Sequence, residues 1–152
     1  MGYTLRAVLD VVPQQSKILV AEIFPAVVEW NQADLAGLAN APLIDPRVTV
    51  QVTDVADLFD GPPTFDAILL DVDNGPDAFT IARNERLYGA HGLAQIRSSL
   101  LRPGVLGVWS ADPDPPFERR LSKAGYRVQV ETVPAHQKSK GPNHTIFIAT
   151  VA

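Results

Sequence analysis

Three aspartates crowd the stretch LLDVDNGPD, at Asp71, Asp73 and Asp77. They follow the apolar run FDAILL, so negative charge collects where a buried strand should end. Residues two apart in extended backbone face the same side, which lets Asp71 and Asp73 converge on one point. A carboxylate pair of this kind neutralises an ammonium and removes the proton that keeps an amine from acting as a nucleophile. The plainer use of the segment is a polar turn, with Asn74–Gly75 making the bend. Two further carboxylates occupy similar places. Glu22 closes the short apolar run KILVAE, 20 residues beyond Gly2. Dinucleotide-binding units place an acidic residue at about that separation to take ribose hydroxyls, whereas a solvated strand end explains the same residue without a ligand. Asp54 follows VTVQVT and opens VADLF. It suits a helix N-cap or an acceptor for the exocyclic amine of an adenine, and the two roles are compatible.

The elements that must carry these groups alternate along the chain. The apolar spacing predicts a helix over Thr4–Val12, with Leu5, Val8, Leu9 and Val12 on one face. A strand over Lys17–Glu22 follows. The next helix runs through PAVVEWNQADLAGLA, with Pro25 in its first turn and Val27, Val28, Trp30, Leu35 and Leu38 as apolar positions. RVTVQVTD reads as a strand, and FDAILLDV as a strand buried on both faces. A helix over Tyr88–Leu101 is expected to stop at Arg102–Gly104, before the buried strand VLGVWSA. PPFERRLSKAG is a helix with Pro116 near its start and Gly125 after its end. YRVQVETV and HTIFIATV close the chain as an antiparallel hairpin. Such alternation predicts an α/β fold with a mostly parallel sheet, and ligands in these sheets bind beyond the carboxyl ends of the strands. Glu22, Asp54 and Asp71 all lie there. Trp30 and Trp109 are read as packing residues, His91 as a capping or surface residue, and the basic stretch His136–His144 as a solvated hairpin loop.

Composition narrows the function classes. The chain has 152 residues, enough for one domain with its own core. Its net charge of −4 argues against general nucleic-acid binding, which needs a surplus of Lys and Arg. Without cysteine there is no disulfide framework, thiolate metal site or cysteine nucleophile, and the histidines lack other ligand types beside them, so no metal is expected. No apolar run reaches the roughly 18 residues of a membrane helix, and the amino terminus lacks a signal-peptide layout. The expected location is the cytoplasm.

Four segments, VAEIFPAVVEWN, DPRVTVQVTDVADLF, FDAILLDVDNGP and LYGAHGLAQIRSSLLRPGVLGVWSA, run in the order and spacing of the spermidine synthases. The chain resembles this family of aminopropyltransferases over nearly its whole length. The resemblance implies a Rossmann-like, class I methyltransferase-type three-layer sandwich forming a single nucleoside-binding domain over 1–152. It implies that the chain begins inside the glycine-rich loop, with Gly2 among its last residues and the first core strand and amino-terminal β-domain absent. Glu22, with Ile23 beside it, would hold the ribose of the donor, and Asp54 with Val55 would read its adenine. Asp71 would face the reacting amine. Apart from the resemblance, Asp73 is the second candidate catalytic carboxylate by its spacing from Asp71, and Asn74 and Tyr88, the latter starting the helix that borders the acidic turn, are the candidates to line the acceptor pocket. The family's Asp-x-x-Asp arrangement is altered here: Asn74 stands three beyond Asp71, and Asp73 comes one place early. Asn cannot serve as a base.

The implied activity is transfer of an aminopropyl or methyl group from decarboxylated or intact S-adenosylmethionine to an amine or other small nucleophile. The alternative is a non-catalytic binding or oligomerising module, or a fragment of a longer enzyme, with a degenerate cofactor loop. A central strand missing from the sheet would leave unpaired edges, so a homo-oligomer, most simply a dimer, is expected, with small-molecule partners and neither nucleic acid nor membrane.

Overall fold

The computed structural model describes residues 2–71, 86–134 and 143–151. The chain divides into two compact units, Met1–Leu58 and Phe59–Ala152.

The first unit begins with α1 (Tyr3–Val11), then β1 (Ile18–Glu22), α2 (Pro25–Gln32) and β2 (Val48–Val52). β1 and β2 pair in parallel from Ile18↔Val48 to Glu22↔Val52. The expected second helix is shorter than its apolar pattern suggests. Its last turn widens, with Leu35 N donating to Trp30 O at 2.8 Å, and the chain continues as a tighter 3₁₀ turn over Ala36–Ala39. No residue of α2 is buried, and Trp30 is 54% exposed rather than part of a core. A two-stranded sheet offers little surface for an eight-residue helix to bury an indole against.

Polar contacts hold this unit where apolar burial is thin. The Arg47 guanidinium donates to both Asp45 carboxylate oxygens at 3.0 and 2.9 Å. It also reaches the carbonyls of Leu9 and Val12 at 3.2 and 3.4 Å. These carbonyls end α1 and have no partner within the helix, so one cation ties the helix terminus to the entry of β2. The Arg47 and Asp45 side chains are only 10% and 19% exposed. Hydrogen bonds from the Arg47 side chain and backbone lower the Asp45 pKa from 3.8 to about 2, and Asp45 holds the guanidinium charged.

The second unit contains β3 (Phe65–Leu70), α3 (Ala90–Ser99), β4 (Leu100–Ser110), α4 (Pro115–Lys123), β5 (Arg127–Pro134) and β6 (Asn143–Val151). Its sheet has the order β3-β4-β6-β5. β3 and β4 are parallel, and β6 runs antiparallel to both β4 and β5, as the hairpin pattern predicts. Among the described residues β1 pairs only with β2, and β3 only with β4.

One face of this sheet is closed. Ile68, Leu70, Leu106, Val108, Phe147, Ala149 and Val151 are buried on it. α4 lays Phe117 on Phe147, with ring centroids 5.1 Å apart, and Tyr88 meets Phe117 edge-on at 5.5 Å. Asp114 caps α4 by accepting from Phe117 N at 2.8 Å, and Gly125 ends it with φ +89°. β3 is not buried on both faces as its continuous apolar run suggests, since Leu69 is 53% exposed. The helix expected to reach Leu101 ends at Ser99. Hydroxyls of Ser98 and Ser99 cover carbonyls of its last turn, and Leu100 already pairs with Phe65. Arg102–Gly104 therefore does not stop the helix. It lies in an irregularity of β4, where the register jumps from Phe65↔Leu100 to Ala67↔Val105.

Phe117 is among the largest fully buried side chains and fills the space between two rings. Phe117→Ala is expected to destabilise the second unit by about 3–5 kcal/mol, read from its urea transition; a loss below about 1 kcal/mol would contradict this packing. The Asp45 pKa is lowered on folding, so its contribution is complete above the ordinary carboxylate value of 3.8 and fades as pH falls toward about 2. Asp45→Asn should flatten the acid limb of the stability profile in that window and leave the slope above it unchanged.

Candidate functional site

Parallel strands end on the same side, so the β1–β2 pair presents its carboxyl-terminal residues together. The backbone carbonyl of Glu22 accepts from Thr53 N at 2.9 Å, which sets Glu22 beside the turn that carries Asp54. One oxygen of the Glu22 carboxylate accepts from Phe24 N at 2.9 Å. That bond spans Ile23 and fixes the side chain against its own loop, while the second oxygen has no partner among the described residues. Asp54 accepts from Ala56 N at 3.0 Å and so starts the 3₁₀ turn Val55–Phe59. The capping role is thus realised.

Beside Glu22 lies a cavity of about 130 Å³ whose lining includes Gly2, Leu5, Val20, Asn31 and Val50. Gly2 starts α1 with φ +73°, and a Cβ there would stand 2.9 Å from Pro42 Cγ. A side chain at this position would strain the backbone and crowd the cavity wall. Asn31 is spent on the Val27 carbonyl at 2.8 Å, which leaves Glu22 as the charged group of a largely apolar hollow. The first unit therefore sets Gly2 and Glu22 on one cavity, with Ile23 next in the chain and the turn of Asp54 and Val55 tied to Glu22 through Thr53.

In the second unit Asp71 is exposed and directly follows β3. β3 ends at Leu70, paired with Val108, so Asp71 follows at the carboxyl end of the sheet. Asp73 and Asn74 lie outside the described residues, as does His136. Tyr88 is 2% exposed, with its ring packed on Phe117. His91 is exposed in the first turn of α3, and Gly89 occupies the N-cap.

His144 departs from the solvated-loop reading. It belongs to β6, and its ring lies 4.9 Å from that of Trp109 at 51°. Its Nδ1 is buried without a hydrogen-bond partner among the described residues. Alternation in HTIFIATV was the available signal: buried Thr145, Phe147 and Ala149 put His144 on the opposite face, with Ile146 and Ile148. The open face of β4 and β6 thus carries an indole and an imidazole near the end of the sheet where Asp71 follows β3. An ammonium or an aromatic group fits such a surface. No group of three or more potential metal ligands occurs among the described residues, and no helix there is long and apolar enough to cross a membrane.

No protein-family model and no curated protein matches the chain. Solved structures do. A spermidine synthase in complex with the transition-state analogue AdoDATO is 21% identical, with a TM-score of 0.80 over 98% of this chain and 51% of its own. Spermidine synthase from Thermotoga maritima is also 21% identical, with a TM-score of 0.76 over 98% and 50%. A precorrin-6y C5,15-methyltransferase from Geobacter metallireducens is 16% identical, with a TM-score of 0.61 over 88% and 66%. The chain spans about half the length of these two spermidine synthases. Its fold is the Rossmann-like α/β fold shared by spermidine synthases and methyltransferases.

Proposed function

We propose that the chain is the nucleoside-binding part of a group transferase, with S-adenosylmethionine or its decarboxylated form as donor and an amine as acceptor. The observation that carries this reading is Glu22. A strand-end carboxylate is fixed by the Phe24 amide through one oxygen and keeps the other beside the Gly2 cavity. A diol offers two hydroxyl donors to such a group. Asp54, with Val55, takes the adenine edge from the neighbouring turn. Asp71 attracts the acceptor's ammonium, with Asp73 as the second carboxylate and Asn74 as a hydrogen-bonding neighbour, while Tyr88, buried against Phe117, is a packing residue rather than an acceptor contact. A carboxylate helps by removing the amine proton, which frees the nitrogen lone pair to attack the donor carbon next to sulfur. The sulfonium then leaves as a neutral thioether. These steps do not use a metal. The reading also places the protein in the cytoplasm.

Calorimetry with S-adenosylmethionine, decarboxylated S-adenosylmethionine and methylthioadenosine tests it. At least one should bind, and Glu22→Ala should weaken that ligand about tenfold or more. Asp71→Asn should leave donor binding intact while abolishing transfer to an amine. Failure of all three nucleosides to bind would refute the assignment.

Exposed apolar side chains favour self-association as part of this reading. Phe24, Trp30 and Leu69 are all more than half exposed, and β1 and β3 each lack a second strand neighbour among the described residues. Sedimentation at micromolar concentration should give a homodimer; a monomer would remove the dimer from the proposal.

A further inference from the structure

A groove of about 450 Å³ opens at the amino ends of β3 and β4, lined by Pro63, Arg97, Ser98, Leu100, Leu101 and Arg102. This is the end opposite Asp71. Six residues of β3 at about 3.3 Å each separate the two ends by roughly 20 Å. The only charged groups in the lining are two guanidiniums, in a chain with 17 acidic and 13 basic residues. Arg6, Arg47 and Arg120 each pair with an aspartate, at 2.7, 2.9 and 3.7 Å. Arg97 and Arg102 pair with no carboxylate among the described residues.

Arg97 is nevertheless held in place. Its Nε donates to the Gly125 carbonyl at 3.4 Å. The guanidinium lies 3.3–3.6 Å from where a Cβ of residue 125 would stand. Gly125 thus turns the chain after α4 with φ +89° and leaves room for the side chain. With Nε occupied, the two terminal nitrogens keep their donors for a ligand. Ser98 contributes only acceptor capacity, because its hydroxyl donates to the Gln95 carbonyl at 2.8 Å. The remaining wall is apolar, from Pro63, Leu100 and Leu101.

Two unpaired guanidiniums over an apolar wall suit an anion with several oxygens and a hydrophobic body. Arginine's planar fork matches phosphate bidentately, better than a lone ammonium would. The geometry points to a binding site for a small phosphate monoester with an apolar substituent, gripped by Arg97 and Arg102 and separate from the acidic strand ends. Arg97 also offsets the carbonyl end of α3. That role needs only its charge, so Arg97→Lys separates the two uses.

Amide-resolved NMR titrations at constant ionic strength test the site, with phenyl phosphate, inorganic phosphate and benzoate as probes. Phenyl phosphate should saturate with shifts centred on residues 97–102, more tightly than inorganic phosphate because of the apolar wall, and more tightly than benzoate because of the phosphate. Arg97→Lys and Arg102→Ala should each weaken phenyl phosphate about tenfold. Arg119→Ala, an exposed control on α4, should not. Arg102 is exposed, so its variant keeps the fold, checked by circular dichroism. The proposal is overturned by shifts centred elsewhere, by equal affinity for benzoate, or by unchanged binding in an Arg97→Lys, Arg102→Ala double variant. Nucleoside binding through Glu22 is a separate measurement, and either result stands without the other.

Discussion

Parallel pairing is the constraint on which the arrangement depends. When two strands run the same way, their carboxyl ends open on one edge, and the residues just beyond become neighbours however far apart they lie in sequence. The pair Glu22↔Val52 does this for Glu22 and Asp54, which are 32 positions apart. The pair Leu70↔Val108 brings Asp71, just beyond β3, to the carboxyl end of β4. Charge at such an edge costs little in solvation, because water reaches it until a ligand arrives. The same carboxylates one or two residues earlier would face apolar neighbours and need burial without partners.

The two units meet this constraint by different means. The second rests on apolar packing: Phe117 between Tyr88 and Phe147, with Leu93, Ile96, Leu106 and Leu121 fully buried around it. In the first, the described residues that are buried are Leu9, Ala39, Pro42 and Ala56. Four residues of that size bury little apolar area, so directional contacts matter more there, above all Arg47 on Asp45 and on the end of α1. A unit with few apolar contacts sits at the low-stability end of a structure. Any ligand that binds only its folded form adds to that stability by mass action.

This difference also explains what could be read from the sequence. The α/β alternation, the six strands, the hairpin and the placement of Pro115–Lys123 with Gly125 beyond it follow from period, proline and glycine, which are local signals. Trp30 departs from its expected packing role because apolar pattern states what a helix would like to bury, not how much sheet stands opposite it. Leu69 failed for the same reason: a continuous apolar run describes a strand able to lie between two layers, and here one face remains open. The Asp45–Arg47 network left no recognisable motif, since its value comes from the Leu9 and Val12 carbonyls 38 and 35 positions away. His144 is a different case. Its alternation with Thr145, Phe147 and Ala149 is legible, but it also borders a basic stretch whose composition is that of a loop.

For the acceptor side, the displaced carboxylate and the aromatic pair bear on one another. Replacing a carboxylate by Asn74 three beyond Asp71 removes an anion and a base from a position where the resembling family keeps both. An amide still accepts and donates hydrogen bonds, so binding geometry survives the change better than proton removal does. Trp109 and His144 stand on the neighbouring strands and share the open face. The indole supplies attraction for a cation without adding negative charge. The imidazole nitrogen at Nδ1 is buried with no described protein partner, and such a group is costly unless something meets it.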